Sequence, residues 1–210
     1  WEKEEEKTDD RKKLIALESM LEVTYTSRRY RNWVKDALQY ILNAQTVTDA
    51  DLTQNLEGFV QKRLAEYKLE EEKKGQDWLK RGTDTPHLVL NLLDYLFMEE
   101  ENPNYLFRHR SSIEHFMPRD GSYSAEKWEE QELDSIGNLC LMSSSDNSAL
   151  KNRSPKEKVT WWENKYKGSN LTPKQQKMYD LEKPKGWTKD VCAAHHHVCD
   201  EMLREFLEKH

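Results

Sequence analysis

Hydrophobic residues recur at three- and four-residue steps over most of the chain, which is the spacing of an amphipathic α-helix. Helices of this kind are typical of a soluble helical protein, and 210 residues are enough for one large domain, or one and a half, with a real core. These apolar stripes predict helices over residues 1–24, 30–43, 49–74 and 86–98, over a short segment from Pro173, and over a last segment from Thr188. The segment over 86–98 is apolar on nearly one whole side and is expected to be the central buried helix.

The stretch from Ser111 to Lys158 departs from this helical pattern. It begins with a short apolar run that predicts a strand carrying Glu114 and His115, and Pro118 soon ends that run. Side chains alternate across a strand, so these two side chains point to opposite faces unless the backbone bends near Pro118.

A second strand is predicted over residues 139–142, directly after a Gly-Asn turn. A helix capped near Ser145 or Asp146 follows and carries Asn147 and Lys151 on one side. Strand, strand and helix form a small ββα unit, in which a carboxylate, an imidazole and a carboxamide can converge on one point.

The predicted fold class is α+β, predominantly helical, with this ββα unit embedded in a helical body. Residues 1–104 are expected to form the body and residues 105–165 the ββα unit, with a further strand over residues 105–110. Residues 166–210 are expected to form C-terminal helices that pack back on the body, within one compact domain.

Glu114, His115 and Asn147 are the residue types needed to cleave a phosphodiester with one metal ion. A hard divalent cation prefers oxygen ligands, which Glu114 and Asn147 can supply. The cation would stabilise charge on a phosphate while His115 takes a proton from water. Each residue also has a structural interpretation, because a histidine is often a packing residue and an asparagine near a helix start is often a cap.

The motifs E-H-F-M-P, I-G-N-L and D-N-S-A-L-K-N, in that order, resemble those of the HNH (ββα-metal) nucleases. More narrowly, they resemble the C-terminal nuclease domain of GmrSD-type, modification-dependent restriction endonucleases. That family shows patterns close to S-I-E-H-I-x-P-Q, L-G-N-L-x-L and N-x-x-L-x-N, followed by a Lys. The nine-residue step from Asn138 to Asn147 also matches. The likeness covers residues 82–165 well and the flanking helices loosely.

By position, the resemblance implies a catalytic pair of His115 and Asn138, with His115 as the general base and Asn138 bracing the loop that holds it. Glu114 and Asn147 are implied to hold one Mg²⁺ or Mn²⁺ ion. The implied activity is metal-dependent cleavage of DNA, in the effector part of a restriction and anti-phage defence protein. Its N-terminal sensor and nucleotide-hydrolysing domain is expected to lie outside this chain.

The chain departs from the family pattern in two places. Arg119-Asp120 stands where the family usually has Gln, and residues 121–132 form a polar insert with Trp128 as its anchor. Neither departure is expected to touch a proposed metal ligand, although both can alter how DNA is held.

Charge is distributed unevenly along the chain. The overall net charge is −6, but residues 151–189 contain eleven basic and four acidic residues, a net charge of +7. A basic surface backed by an acidic body fits phosphate contacts on one face, although solvated helix charges explain most of these lysines. The residues predicted to lie nearest DNA are Lys151, Arg153, Lys158, Arg108 and Arg110.

Three cysteines without a paired framework favour a reducing cytoplasm. No signal peptide and no apolar stretch long enough to span a membrane is present in the sequence, so no membrane partner is expected. The chain opens at Trp1 within a charged helical run, which suggests a fragment of a longer protein. A homodimer is a further expectation, since a double-strand break from an enzyme with one site needs two copies or two nicks.

Several alternatives stay open. The ββα unit can be catalytically silent and bind DNA or dock the sensor domain, or its substrate can be RNA. In the last helix Cys192 with His196, or His195 with Cys199, share a face, but two ligands are too few for a structural zinc site.

Overall fold

The structure is a computed structural model that describes residues 9–27, 31–119, 126–166 and 171–209. Asp120 and residues 121–125 of the polar insert lie outside the described residues. In chain order the elements are α1 (Asp9–Thr24), α2 (Asn32–Asn43), α3 (Asp49–Lys73), α4 (His87–Glu101), β1 (Ser112–His115), α5 (Glu130–Leu133), β2 (Leu139–Met142), α6 (Ser144–Leu150), α7 (Pro155–Tyr166), α8 (Pro173–Lys185) and α9 (Lys189–Glu208). Short 3₁₀ turns precede α4, at Gly82–Asp84, and β2, at Ile136–Asn138.

The first core, called here the body core, lies among α1, α3, α4 and α9. Ten of the 15 residues of α4 are buried, which confirms that it is the central buried helix. Each leucine or valine that is fully removed from water contributes about 1.5–3 kcal/mol, so α4 is the main apolar contributor to this core. Within the described residues, no helix is both long enough and apolar enough to cross a bilayer.

The two strands form a sheet that lies between two cores. β1 and β2 are antiparallel, with His115 opposite Leu139. Leu139 and Leu141 face the body core, whereas Cys140 and Met142 face a second core. This alternation is the two-residue period of a strand, and it explains why all four residues of β2 are buried.

The second core is aromatic and lies among β2, α7 and α8. Trp128, predicted to anchor the polar insert, is buried in it. Its other aromatic members are Phe116, Trp162, Tyr179 and Trp187. Trp162 is 1% exposed, and its neighbour Trp161 packs against the same core as a partly buried residue.

The prediction of a strand over residues 105–110 is wrong, because these residues have no strand partner. β2 is four residues long, and its last residue, Met142, already pairs with Ser112. No backbone is left on β2 for the residues before β1. Tyr105 and Phe107 instead pack their rings against the body core.

The helix that follows β2 is also shorter than expected. It ends at Leu150, and Lys151 has a φ of 49°, outside the helical region. Pro155 then begins α7, so Lys158 lies on a different helix from Asn147. A proline cannot continue a preceding helix, because it lacks the amide hydrogen and clashes with the turn before it.

The body core takes residues from each of the three predicted segments, because α9 packs on α3, on α4 and on the turn Ile136–Asn138. The three segments thus share one core, and the domain boundaries at residues 104 and 165 stay a prediction. The packing of α9 on that turn brings the C-terminal helix against the residues that lead into β2.

Replacing Gly137 with alanine should destabilise the fold. A Cβ there would lie 2.5 Å from the Cys192 carbonyl oxygen and 2.7 Å from the His196 amide nitrogen, both in the backbone of α9. Backbone atoms in a helix cannot move aside alone, so we expect a loss of about 1–3 kcal/mol in the free energy of unfolding, measured with denaturant. Gly58→Ala, in α3 with no atom within 4 Å of the added Cβ, is the control and should be neutral or stabilising. Equal effects of the two substitutions would contradict the packing described for α9.

Candidate active site

Glu114 and His115 are adjacent at the end of β1, and their side chains leave opposite faces of the strand. Glu114 pairs with Cys140, on the side of the second core, and His115 pairs with Leu139, on the side of the body core. β1 stays extended through His115, so no bend within the strand brings the two side chains to one face. The structure therefore does not show the predicted convergence of both groups on one point.

Lys158 of α7 holds the end of β1 from the side of the second core. Its ammonium donates to Glu114 Oε1 at 2.5 Å, to the His115 carbonyl oxygen at 2.5 Å and to the Phe116 carbonyl oxygen at 3.1 Å. The side chain has no exposed surface, so the predicted contact of Lys158 with DNA is wrong. All three ammonium hydrogens have acceptors inside the protein, which is what a buried ammonium group requires.

The Glu114 carboxylate lies in a nearly buried environment and is paired with that ammonium. Its side chain is 12% exposed. Burial raises the pKa of Glu114, and the neighbouring Lys158 opposes that rise. The ion pair therefore stabilises the charged form of Glu114, the form that a metal ion binds.

The His115 imidazole is held by a carboxylate on the other side of β1. Its Nε2 atom lies 2.8 Å from Asp134 Oδ1. Burial lowers the pKa of His115, and the hydrogen bond to Asp134 opposes that lowering. A lowered pKa favours the neutral imidazole at neutral pH, which is the form that can accept a proton.

Asn138 braces the backbone that follows β1. Its Oδ1 accepts from the Met117 amide at 2.8 Å and from Trp187 Nε1 at 3.1 Å. Its Nδ2 donates to the Met117 carbonyl at 3.0 Å and to the Leu133 carbonyl at 2.9 Å. The residue is fully buried and contacts the loop just after His115. This is the geometry expected of a brace.

Asn147 lies one turn into α6 and is half-buried. Ser143 caps this helix by accepting from the Asp146 amide at 3.1 Å, so the true cap lies two or three residues before the predicted one. Ser144 Oγ lies 2.6 Å from Ser111 Oγ, which ties the start of α6 to the start of β1. Asn147 is therefore on the element that packs against β1, one turn in from that contact.

Asp146 is a buried carboxylate that the predicted site did not include. Its Oδ1 accepts from Lys165 Nζ at 2.9 Å. Burial raises the pKa of the Tyr179 phenol, and the nearby Cys140, Glu114 and Asp146 add to the rise. The charges of Glu114 and Asp146 thus both act on the phenol of Tyr179, which lies in the second core.

The cations predicted to contact DNA differ in exposure. Lys151, Arg153 and Arg108 are exposed and can reach a ligand from solvent. Arg110 is half-buried, and its charge opposes the burial-driven rise in the pKa of Asp94 inside the body. Arg110 is thus engaged within the protein, in contrast to its predicted contact with phosphate.

The oxygen atoms of Glu114 and Asn147 suit a magnesium or manganese ion. Carboxylate and amide oxygens are hard ligands, and Mg²⁺ is commonly held by one or two protein groups with water completing the shell. Lys158 contacts Glu114 Oε1, and a carboxylate has a second oxygen that can serve as a ligand. Among the described residues, no three His, Cys, Asp or Glu side chains form a metal cluster. A site of this composition would not require one.

Sequence reasoning missed Asp134, the partner of His115. The one available signal is its position directly before the turn that leads into β2. It also missed that Arg119, a departure from the family pattern, donates to Asp134 Oδ1 at 2.7 Å and so touches the group that holds His115. For Lys158 a signal existed: it precedes the buried Trp162 by four residues and so shares its helix face.

Replacing Lys158 with methionine should leave a carboxylate and two carbonyls buried without their donor. We expect a loss of about 3–5 kcal/mol in the free energy of unfolding. The pKa of Glu114 should rise further, so the folded variant binds a proton that its unfolded chain does not bind. The loss relative to wild type should therefore be larger at about pH 8 than at about pH 5, as measured by denaturant unfolding at each pH. Lys156→Met, at an exposed position of the same helix, should change stability little. A loss independent of pH would argue against the ion pair.

Comparison with known proteins gives one finding. The family model described as GmrSD restriction endonucleases, C-terminal domain, matches residues 16–199. No curated protein and no solved structure matches the chain. The matched region contains every residue of the candidate site, all of the second core and most of the body core, from α1 into α9. The chain therefore belongs to the family of GmrSD restriction endonuclease C-terminal domains, and it is a nuclease-type domain.

Proposed function

We propose that this domain is an HNH-type endonuclease that hydrolyses phosphodiester bonds in DNA and depends on a divalent metal ion. The observation that carries the proposal is the environment of His115. Its imidazole is held by Asp134 at 2.8 Å, and burial lowers its pKa. The preceding residue, Glu114, carries an ion-paired carboxylate on the opposite face of the strand. A positioned, neutral imidazole is what a general base requires.

His115 acts in this proposal by taking a proton from the attacking water. Asn138 holds the backbone after His115 through its contacts with Met117, so the imidazole keeps its position as the proton moves. Asp134 accepts the other imidazole hydrogen and stabilises the positive charge that develops on the ring. Each of these roles uses a contact that exists before substrate binds.

Glu114 and Asn147 would hold the metal ion, Mg²⁺ or Mn²⁺. When bound, the ion would supply positive charge to the phosphate and to the leaving oxygen. Lys158 favours the ionised form of the Glu114 carboxylate and fixes its position, since it contacts both the side chain and the backbone of this strand end. Asp146, buried on the same side, adds negative charge to that region.

Lys151, Arg153 and Arg108 would contact the phosphates of DNA, since their side chains are exposed. In a full-length protein, the partner would be a sensor and nucleotide-hydrolysing domain that licenses cleavage of modified DNA in the cytoplasm. A homodimer would allow two strands to be cut together, since each domain carries one site.

A second function is a silent module that binds DNA or docks another domain. One observation favours it: Glu114 and His115 leave opposite faces of β1, and each already has a partner inside the protein. A metal-dependent assay separates the two functions, because a silent module binds DNA without cutting it.

Replacing His115 with alanine should abolish nicking of supercoiled plasmid in magnesium or manganese. Loss of a general base typically costs about 10²–10⁴-fold in rate, whereas binding of DNA should remain near wild type. His197→Ala, at an exposed position of α9, is the matched control and should cut normally. Parallel assays on RNA would define the substrate. If wild type is inert on both nucleic acids with either metal yet binds DNA, the silent module is favoured.

Replacing Lys151 and Arg153 with alanine should weaken binding to all DNA sequences by a similar factor. Each lost phosphate contact should also lower the slope of log affinity against log salt by about one. Lys62→Ala, at an exposed position of α3, is the control. Binding titrations over a salt series provide the measurement, and an unchanged slope in the double variant would place DNA elsewhere.

A further inference from the structure

His115 is the first member of a chain of three side chains that ends at the surface. Its Nε2 lies 2.8 Å from Asp134 Oδ1. Arg119 Nη2 donates to the same oxygen at 2.7 Å and to Oδ2 at 3.0 Å. The Asp134 side chain is 13% exposed and that of Arg119 is 55% exposed, so the guanidinium covers the carboxylate from the solvent side.

This chain fixes which nitrogen of His115 carries the hydrogen. A carboxylate only accepts hydrogen bonds, so the atom facing it, Nε2, must be the donor. In a neutral imidazole the other nitrogen, Nδ1, then carries the lone pair. Arg119 keeps the carboxylate in the acceptor role because a guanidinium can only donate.

The backbone around Asp134 is built to admit this carboxylate. The Gly82 amide donates to the Asp134 carbonyl oxygen at 3.0 Å. Gly82 has a φ of +55°, and a Cβ there would lie 2.4 Å from Asp134 Oδ1, the oxygen that His115 and Arg119 share. Only a residue without a side chain leaves space for the carboxylate at that point.

We propose that Asp134 is the positioning residue for His115: it holds the imidazole in the Nε2–H tautomer and leaves Nδ1 as the atom that accepts the proton. The catalytic meaning of this assignment rests on the proposed nuclease function, but the assignment of the tautomer does not. In this role Asp134 acts through His115. Arg119 supports Asp134 through its positive charge, and Gly82 supports it by leaving space for the carboxylate.

The tautomer of His115 can be read directly by nitrogen NMR on protein without DNA or metal, at about pH 8 where a histidine is neutral. We expect wild type to show the Nε2–H tautomer, with an Nε2–H proton protected from exchange with water. Asp134→Asn retains the main-chain bond to Gly82 but presents an NH₂ group to the ring. This variant should gain the Nδ1–H tautomer and lose the protected proton.

Gly82→Ala provides a second test that changes neither His115 nor Asp134. The added Cβ should displace the carboxylate and remove exchange protection from Nε2–H. Gly75→Ala is the matched control, because Gly75 also has a positive φ, +69°, but no atom within 4 Å of the added Cβ. Both variants carry similar backbone strain, so only loss of protection confined to Gly82→Ala supports the proposal.

The same variants give a kinetic readout if the domain cuts DNA. Asp134→Asn should lower kcat by about 10²–10⁴-fold with little change in KM, since the wrong tautomer cannot take a proton through Nδ1. If the wild-type protein does not cut DNA but shows the expected tautomer, the nuclease function is contradicted and the positioning role stands. A wild-type His115 in the Nδ1–H tautomer, or an Asp134→Asn variant with the wild-type nitrogen spectrum and exchange protection, overturns the proposal.

Discussion

The end of β1 depends on one buried ammonium group. Lys158 is entirely removed from solvent and donates to a carboxylate and two backbone carbonyls. Taking an ammonium group out of water costs several kcal/mol, and this cost is recovered only when each hydrogen has an acceptor. The docking of α7 on the strand and the positions of Glu114 and His115 are therefore set by the same group.

A second buried lysine holds β2 in the same way, by donating to its backbone. Lys174 of α8 is 1% exposed, and its ammonium donates to the Leu139 carbonyl oxygen at 2.6 Å. Its backbone amide also donates to Asp94 Oδ1 at 2.9 Å, which links α8 to the central helix α4. Leu139 stands opposite His115 in the sheet. Helices α7 and α8 thus hold the two strands at the level of His115, a rigid support of the kind that a positioned imidazole needs.

The two faces of β1 carry different chemistry. On the side of the second core, Glu114 and Asp146 bring negative charge that Lys158 and Lys165 balance. On the other side, Asp134 holds His115. A strand only four residues long separates the proposed metal ligands from the proposed base. A phosphate would have to reach both from beyond the strand end, where Asn138 braces the loop.

Local pattern predicted much of this molecule. The periodicity of apolar residues was sufficient for the central helix and for both strands of the sheet, because helix and strand periods depend on neighbours a few residues apart. The bracing role of Asn138 was implied by the family resemblance and not by local periodicity. The prediction of a strand over residues 105–110 was wrong because a strand must pair with another strand. β2 ends at Met142, which already pairs with Ser112 of β1.

The sequence by itself determined the helical class, the two strands and the family to which the chain belongs. Only the tertiary structure decided which acceptors the Lys158 ammonium meets, and that Asp134, 19 residues from His115 along the chain, is the partner of the His115 imidazole. Ion pairs and hydrogen bonds between distant residues depend on how the elements pack. No local spacing specifies them, because the same lysine or aspartate is stable in solvent until packing removes the water around it.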